Sequence, residues 1–142
     1  MMNETTDEEY KFEDGLIVSS TDLKGVVTYA NRKFCEISGY SKEELVGSNH
    51  NIIRHPDMPG SAFEDLWSTI EQGYTWEGVV KNLRKDGRYY WVHTFITPIK
   101  NENKTIGYSA ARRSATKTEL EIAQSLYANL LEKNESEGSS TE

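Results

Sequence analysis

The sequence predicts an α+β domain: a five-stranded antiparallel sheet with short helices on one face and a helix at the C-terminus. Three observations carry this. Runs rich in β-branched and aromatic residues open the chain and return after Gly73. Between them lie segments of helical period closed by Gly39, Gly47 and Gly73. From Thr116 a capping sequence leads into an amphipathic run.

Each element has a local cause. Leu16-Ile17-Val18 reads as a strand, Thr21 to Gly25 as a polar turn, and Val26 to Tyr29 as a second strand, so the opening is a hairpin. Asn31 to Ser41 turns helical, with Phe34 and Ile37 on one side and Gly39 as its end. Ser41-Lys42-Glu43-Glu44 has the capping-box form and starts a short helical turn. Asn49 to Pro59 is polar and carries two prolines, and Pro59 suits a first helical position. Ala62, Phe63, Leu66, Trp67 and Ile70 keep the helical period up to Gly73.

Thr75 to Arg84 alternates, with Trp76, Gly78, Val80 and Asn82 on one face. Asp86-Gly87 makes a hairpin turn into Tyr89 to Ile99, and a loop through Asn101 to Lys104 leads to a last strand, Thr105 to Arg113. Thr116-Lys117-Thr118-Glu119 caps a helix whose stripe is Leu120, Ala123, Tyr127 and Leu130, with Leu126 and Leu131 flanking. Trp67 reads as core and Trp91 as surface packing.

With 142 residues the chain suits one domain. Residues 1–14 read as a polar segment with a short helical cap through Thr6 to Phe12, 15–114 as the folded domain, 115–132 as the amphipathic helix and 133–142 as a disordered tail. The formal net charge of -7 argues against nucleic acid and against docking on an anionic membrane surface. No apolar run approaches the roughly 18 residues of a membrane span, and the acidic N-terminus is unlike a secretory signal. A single cysteine, Cys35, excludes an internal disulfide and a multi-thiolate metal site. A cytoplasmic location is expected, without direct membrane insertion but with association through a membrane-bound partner left open.

The order of elements, with the phrases YANRKFCEISGYSKEELVG and NLRKDGRYYW, resembles the PAS family from Leu16 to Arg113. The stretch NIIRHPDMPGSAFEDLW, followed by GYTWEGVVKNLRKDGRYYWV, resembles the FAD-binding PAS domains of aerotaxis and energy-taxis receptors. The resemblance implies a non-enzymatic redox sensor that holds FAD and passes flavin state to a chemotaxis transducer or signalling domain. It places Arg54, His55, Asp57, Trp76 and Asn82 at cofactor-binding positions, and Ser20, Asn31 and Ser109 join them as expected contacts.

The chemistry of these side chains suits that ligand. The Asn82 amide offers both a donor and an acceptor to the edge of a flavin. Arg54, beside His55 in a loop ahead of a helix, suits a diphosphate, which favours FAD over FMN; alternatively it reaches the flavin edge. Asp57 orients Arg54 or His55, or caps the following helix. Trp76 stacks on adenine or packs as core. If strand pairing keeps one parity, Val92, Thr94, Gly107, Ser109 and Ala111 share the Asn82 face.

Three alternatives stay open at this point. Alignment with blue-light LOV domains puts His50 at the place of their reactive cysteine, with Val92 and Ser109 at the places of an Asn and a Gln. A haem sensor would draw an axial ligand from His50, His55 or His93. A ligand-free module would work through its terminal helix, either paired in a homodimer or folded onto its own sheet.

Overall fold

The structure, a computed structural model, describes residues 5–140, with side chains described for 5–132. Strands β1 (Ile17–Thr21) and β2 (Val27–Ala30) form the opening hairpin. Helix α1 (Arg32–Ser38) is capped by Asn31, whose side chain accepts from the Phe34 N–H, and it ends on Gly39 at φ 80°. Helix α2 (Lys42–Leu45) carries the reciprocal Ser41–Glu44 capping box expected of its sequence. A 3-10 turn, His50–Ile53, follows, and then α3 (Gly60–Glu71), which has Pro59 at its N-cap and so begins one residue later than expected.

Strands β3 (Trp76–Leu83), β4 (Tyr89–Asn101) and β5 (Lys104–Ser114) complete a five-stranded antiparallel sheet in the order β2-β1-β5-β4-β3. Ile17, Val27, Phe34, Ile37, Leu45, Ile70, Tyr90 and Val92 are almost wholly buried between the sheet's concave face and α1–α3. That apolar face supplies the driving force for the helices to cover it.

The pairing of β4 with β5 corrects one expectation. The ladder starts Asn101↔Lys104 and Lys100↔Thr105, and then resumes at Ile99↔Gly107. Ile106 is the extra residue of a bulge, and one inserted residue sends every later side chain of β5 to the other face. Tyr108, Ala110 and Arg112 therefore point into the concave side, in place of Gly107, Ser109 and Ala111.

The ends also differ from expectation. In place of a helical cap, the described part of the N-terminal segment lies along the start of β4: Glu9 bridges Tyr89 in parallel, and Thr6 N–H bonds Gly87 O at 2.9 Å. The unpaired edge at Tyr89, ahead of the first β5 partner at Val92, draws the segment into extended form. Helix α4 (Lys117–Ser140) continues through most of the expected disordered tail. Once nucleated, a helix propagates through Glu, Lys and Asn at small cost per residue, and no proline interrupts it. Residues 1–4 and 141–142 of those two segments lie outside the described residues.

Helix α4 folds back on its own sheet. The Tyr127 hydroxyl donates to Val79 O at 2.5 Å, and its ring stacks on Trp91 with centroids 6.5 Å apart. The Thr116–Glu119 capping box forms, and Glu119 also accepts from both Arg113 terminal nitrogens, at 2.9 and 3.0 Å. No helix among the described residues is long and apolar enough to cross a membrane.

Candidate functional site

Between the concave face and the helices lies a cavity of about 630 Å³. That volume falls within the range that holds small organic ligands. Val80, Ile96, Ala110, Ile53, Leu66 and Ile70 make its walls apolar, and Trp67 and Tyr108 meet edge to face at 5.8 Å along one side. Polar groups enter it from β3 (Asn82), β4 (Thr94), β5 (Arg112) and the segment Asn49 to Arg54.

The deepest charged group is Arg112, only 2% exposed. Its Nη2 donates to Ser19 Oγ at 3.0 Å and to His50 Nε2 at 2.6 Å, while Nη1 is buried without a protein partner. A guanidinium only donates, so His50 Nε2 is the acceptor and the neutral ring carries its proton on Nδ1. Burial, and then the Arg112 charge, push His50 down to about 3, and burial lowers Arg112 to about 10. Phe34 supports both, stacked under His50 at 5.9 Å and lying 5.1 Å from the guanidinium carbon. Thr94, 3% exposed, adds a buried hydroxyl without a protein partner.

The residues expected at the site separate into two groups. Arg54 and Asn82 line the cavity. They are also joined through a backbone bridge, and the Arg54 guanidinium lies 3.9 Å over the Phe63 ring. The other six stand off its walls. His55 and Asp57 sit beyond the β3 edge: His55 Nδ1 accepts from the Asp57 N–H at 3.0 Å, and Asp57 pairs with Lys81 at 3.0 Å. The Lys81 hydrogen bond holds the Asp57 carboxyl below its ordinary value, and burial lowers His55. Trp76 packs its ring over Gly78 and donates from Nε1 to Asp65 Oδ2 at 2.9 Å. Asn31 caps α1 and ties the Val18 N–H and Leu16 carbonyl together. Ser20 and Ser109 face each other across β1 and β5 on the outer side of the sheet.

Sequence reasoning did not reach Arg112 or assign His50 to a hydrogen-bonded pair. Arg112 stands beside a second arginine, Arg113, in a mixed strand, and the bulge hides which of the two points inward. Of the three histidines weighed as haem ligands, His50 alone faces the cavity; His93 lies on the outer face, with Nε2 2.7 Å from Glu77. Cys35 is on α1, off the cavity walls.

The PAS fold profile matches residues 27–111, well over half of the chain. This chain belongs to the PAS family. The PAS domain is 44% identical over 118 residues to the aerotaxis receptor of Escherichia coli strain K12, a match that covers 83% of this chain and 23% of the receptor. It thus spans under a quarter of that relative's length. Among solved structures, the light-state LOV domain of the blue-light photoreceptor Aureochrome1 superposes with a TM-score of 0.70 at 19% identity, covering 77% of this PAS domain and 88% of that chain. A PAS domain from Colwellia psychrerythraea superposes with a TM-score of 0.61 at 30% identity, covering 72% and 87% of the two chains. The first of these is a likeness of fold alone.

Proposed function

We propose that this PAS domain binds a flavin, FAD in particular, and reports its redox state to a signalling partner of the chemotaxis-transducer type. The observation that carries the reading is the donor set of the cavity: buried Arg112 Nη1 and Thr94 Oγ1, both without protein partners, with the Asn82 amide among apolar walls. Orphaned buried polar groups are costly, and a ligand carrying acceptors would satisfy them. A flat ring system with carbonyl and nitrogen atoms along one edge fits that set. The similarity to the aerotaxis receptor supports the same reading and the sensory role.

Asn82, Thr94 and Arg112 would hold the polar edge, while Val80, Ile96 and Trp67 would flank the rings. Arg54, with Asn49 and Asn51, would take the phosphate-bearing part, which is the reason to prefer FAD to FMN. When bound, a flavin supplies reversible electron uptake accompanied by a change in protonation or charge. Arg112 would respond first, because a negative charge beside it offsets the cost of its own burial. Arg112, Thr94 and Asn82 stand on three neighbouring strands, so a change in their bonding would be felt by the sheet on which α4 rests.

The test is the visible absorption spectrum of gently purified protein, with chromatography of the cofactor released by heat. A two-banded flavin spectrum and released FAD support the proposal. A sharp Soret band would move the case to haem and to His50. Colourless protein that fails to take up added FAD would overturn it.

A further inference from the structure

We propose that Lys81 is a positioning residue for the cofactor site: from the outer face of the sheet it latches the segment 54–58 onto the edge of β3 and so aims Arg54 into the cavity. The proposal rests on the flavin reading and assigns to His55 and Asp57 the task of holding a loop.

The open edge of β3 leaves backbone groups to be satisfied. The segment after the 3-10 turn meets that need: Arg54 bridges Asn82 in antiparallel register, and the Lys81 N–H points to Met58 Sδ at 3.5 Å. Neighbouring residues of an extended segment project to opposite sides. Arg54 therefore enters the cavity over Phe63, while His55 turns outward, where its ring meets Tyr89 edge-on at 6.2 Å.

On that outer side the contacts close on one another. Lys81 Nζ donates to Asp57 Oδ2 at 3.0 Å and lies 4.4 Å over the Tyr89 ring. The Asp57 N–H in turn donates to His55 Nδ1 at 3.0 Å, and the Met58 N–H to His55 O at 3.1 Å. Lys81 thus grips the loop twice, by its backbone at Met58 and by its ammonium at Asp57. None of Lys81, His55 or Asp57 lines the cavity, so any effect on the cofactor has to pass through Arg54. A ligand-gripping side chain works only when its supporting contacts hold it in place.

The experiment is a double-mutant cycle on FAD affinity in the whole chain, with Lys81→Met, Arg54→Ala, both together, and Lys81→Arg. Lys81→Met is expected to weaken FAD about two- to fivefold, the size of a partly exposed ion pair converted to affinity. Lys81→Arg should keep most of the affinity, which separates the latch from general misfolding. In the Arg54→Ala background Lys81→Met should change affinity less than about twofold, because the group it positions is gone. The same loss in both backgrounds, or no loss in either, would overturn the proposal. If the wild-type chain binds no FAD, the flavin reading fails by itself. The latch is then read by amide exchange over residues 54–58: faster exchange in Lys81→Met upholds it, and unchanged exchange overturns it.

Discussion

Replacing Arg112 by Met removes a cation that the fold buries with only neutral partners, and the two states of the protein should respond in opposite directions. Burial lowers Arg112 by more than two decades from its ordinary value, to about 10. At about 1.4 kcal/mol per decade, that gap puts the cost of the buried charge at roughly 3 kcal/mol. The folded side chain holds its proton less tightly than the unfolded one. The cost is therefore fully present below about pH 10, fades as pH rises through that folded value and is gone above the unfolded one, so an assay near neutrality sees all of it. Methionine also forfeits the bonds to Ser19 and His50, about 1 kcal/mol each for a first estimate, which leaves a net gain of about 1 kcal/mol. For a chain of this size the flavin-free melting midpoint should rise by about 3 °C. FAD affinity should fall at least about tenfold, because the ligand loses a charge-assisted donor. Thermal melts of flavin-free protein and an FAD titration provide the two readings. A lower midpoint in Arg112→Met together with unchanged FAD affinity would refute the reasoning.

Acid should destabilise the chain in a way that reports His50. Its value falls from 6.5 to about 3, so the unfolded chain takes up the proton first and stability drops from about pH 6.5 downward, approaching 1.4 kcal/mol per pH unit. His55 is lowered too and adds in the same sense. His50→Asn should flatten the slope of urea midpoints between pH 7 and 5, and an unchanged slope would count against a neutral buried ring. Trp76→Phe should cost about 1 kcal/mol through the lost bond to Asp65 and leave FAD occupancy as it was. A drop in occupancy would bring Trp76 back into the cofactor site. At Gly107 an added Cβ would lie 2.2 Å from Thr21 O, a backbone atom unable to give way cheaply. Gly107→Ala should destabilise by about 1–3 kcal/mol, whereas a melt like that of wild type would show that β1 and β5 are less tightly apposed.

Much of the fold was legible because its signals are local. Capping at Ser41 and Thr116 depends on residues three apart, and both boxes form as the sequence foretells. The Asp86-Gly87 turn and the helical period from Ala62 to Ile70 are equally short-ranged. Asn82 and Arg54 were legible for a different reason: the PAS resemblance supplied their positions, and the antiparallel register then brought them to one cavity. The same resemblance placed His55 and Asp57 beside them, and an extended backbone sends neighbours to opposite sides of the β3 edge.

The extended course of the N-terminal segment and the full length of α4 were not legible in the amino-acid order, which nonetheless specifies the five strands, helices α1 to α3 and the need to cover one apolar face. These follow from hydrogen bonding and burial over a few residues at a time. The tertiary structure was needed to show that Arg112 joins Thr94 in facing the cavity, because a single bulged residue, Ile106, reverses the parity of β5 relative to β4. Strand parity propagates along the whole ladder, so a one-residue event at its turn end sets the chemistry of a site about six residues away. The pairing of His50 with Arg112 likewise joins residues 62 apart in sequence, across a distance that no local pattern encodes.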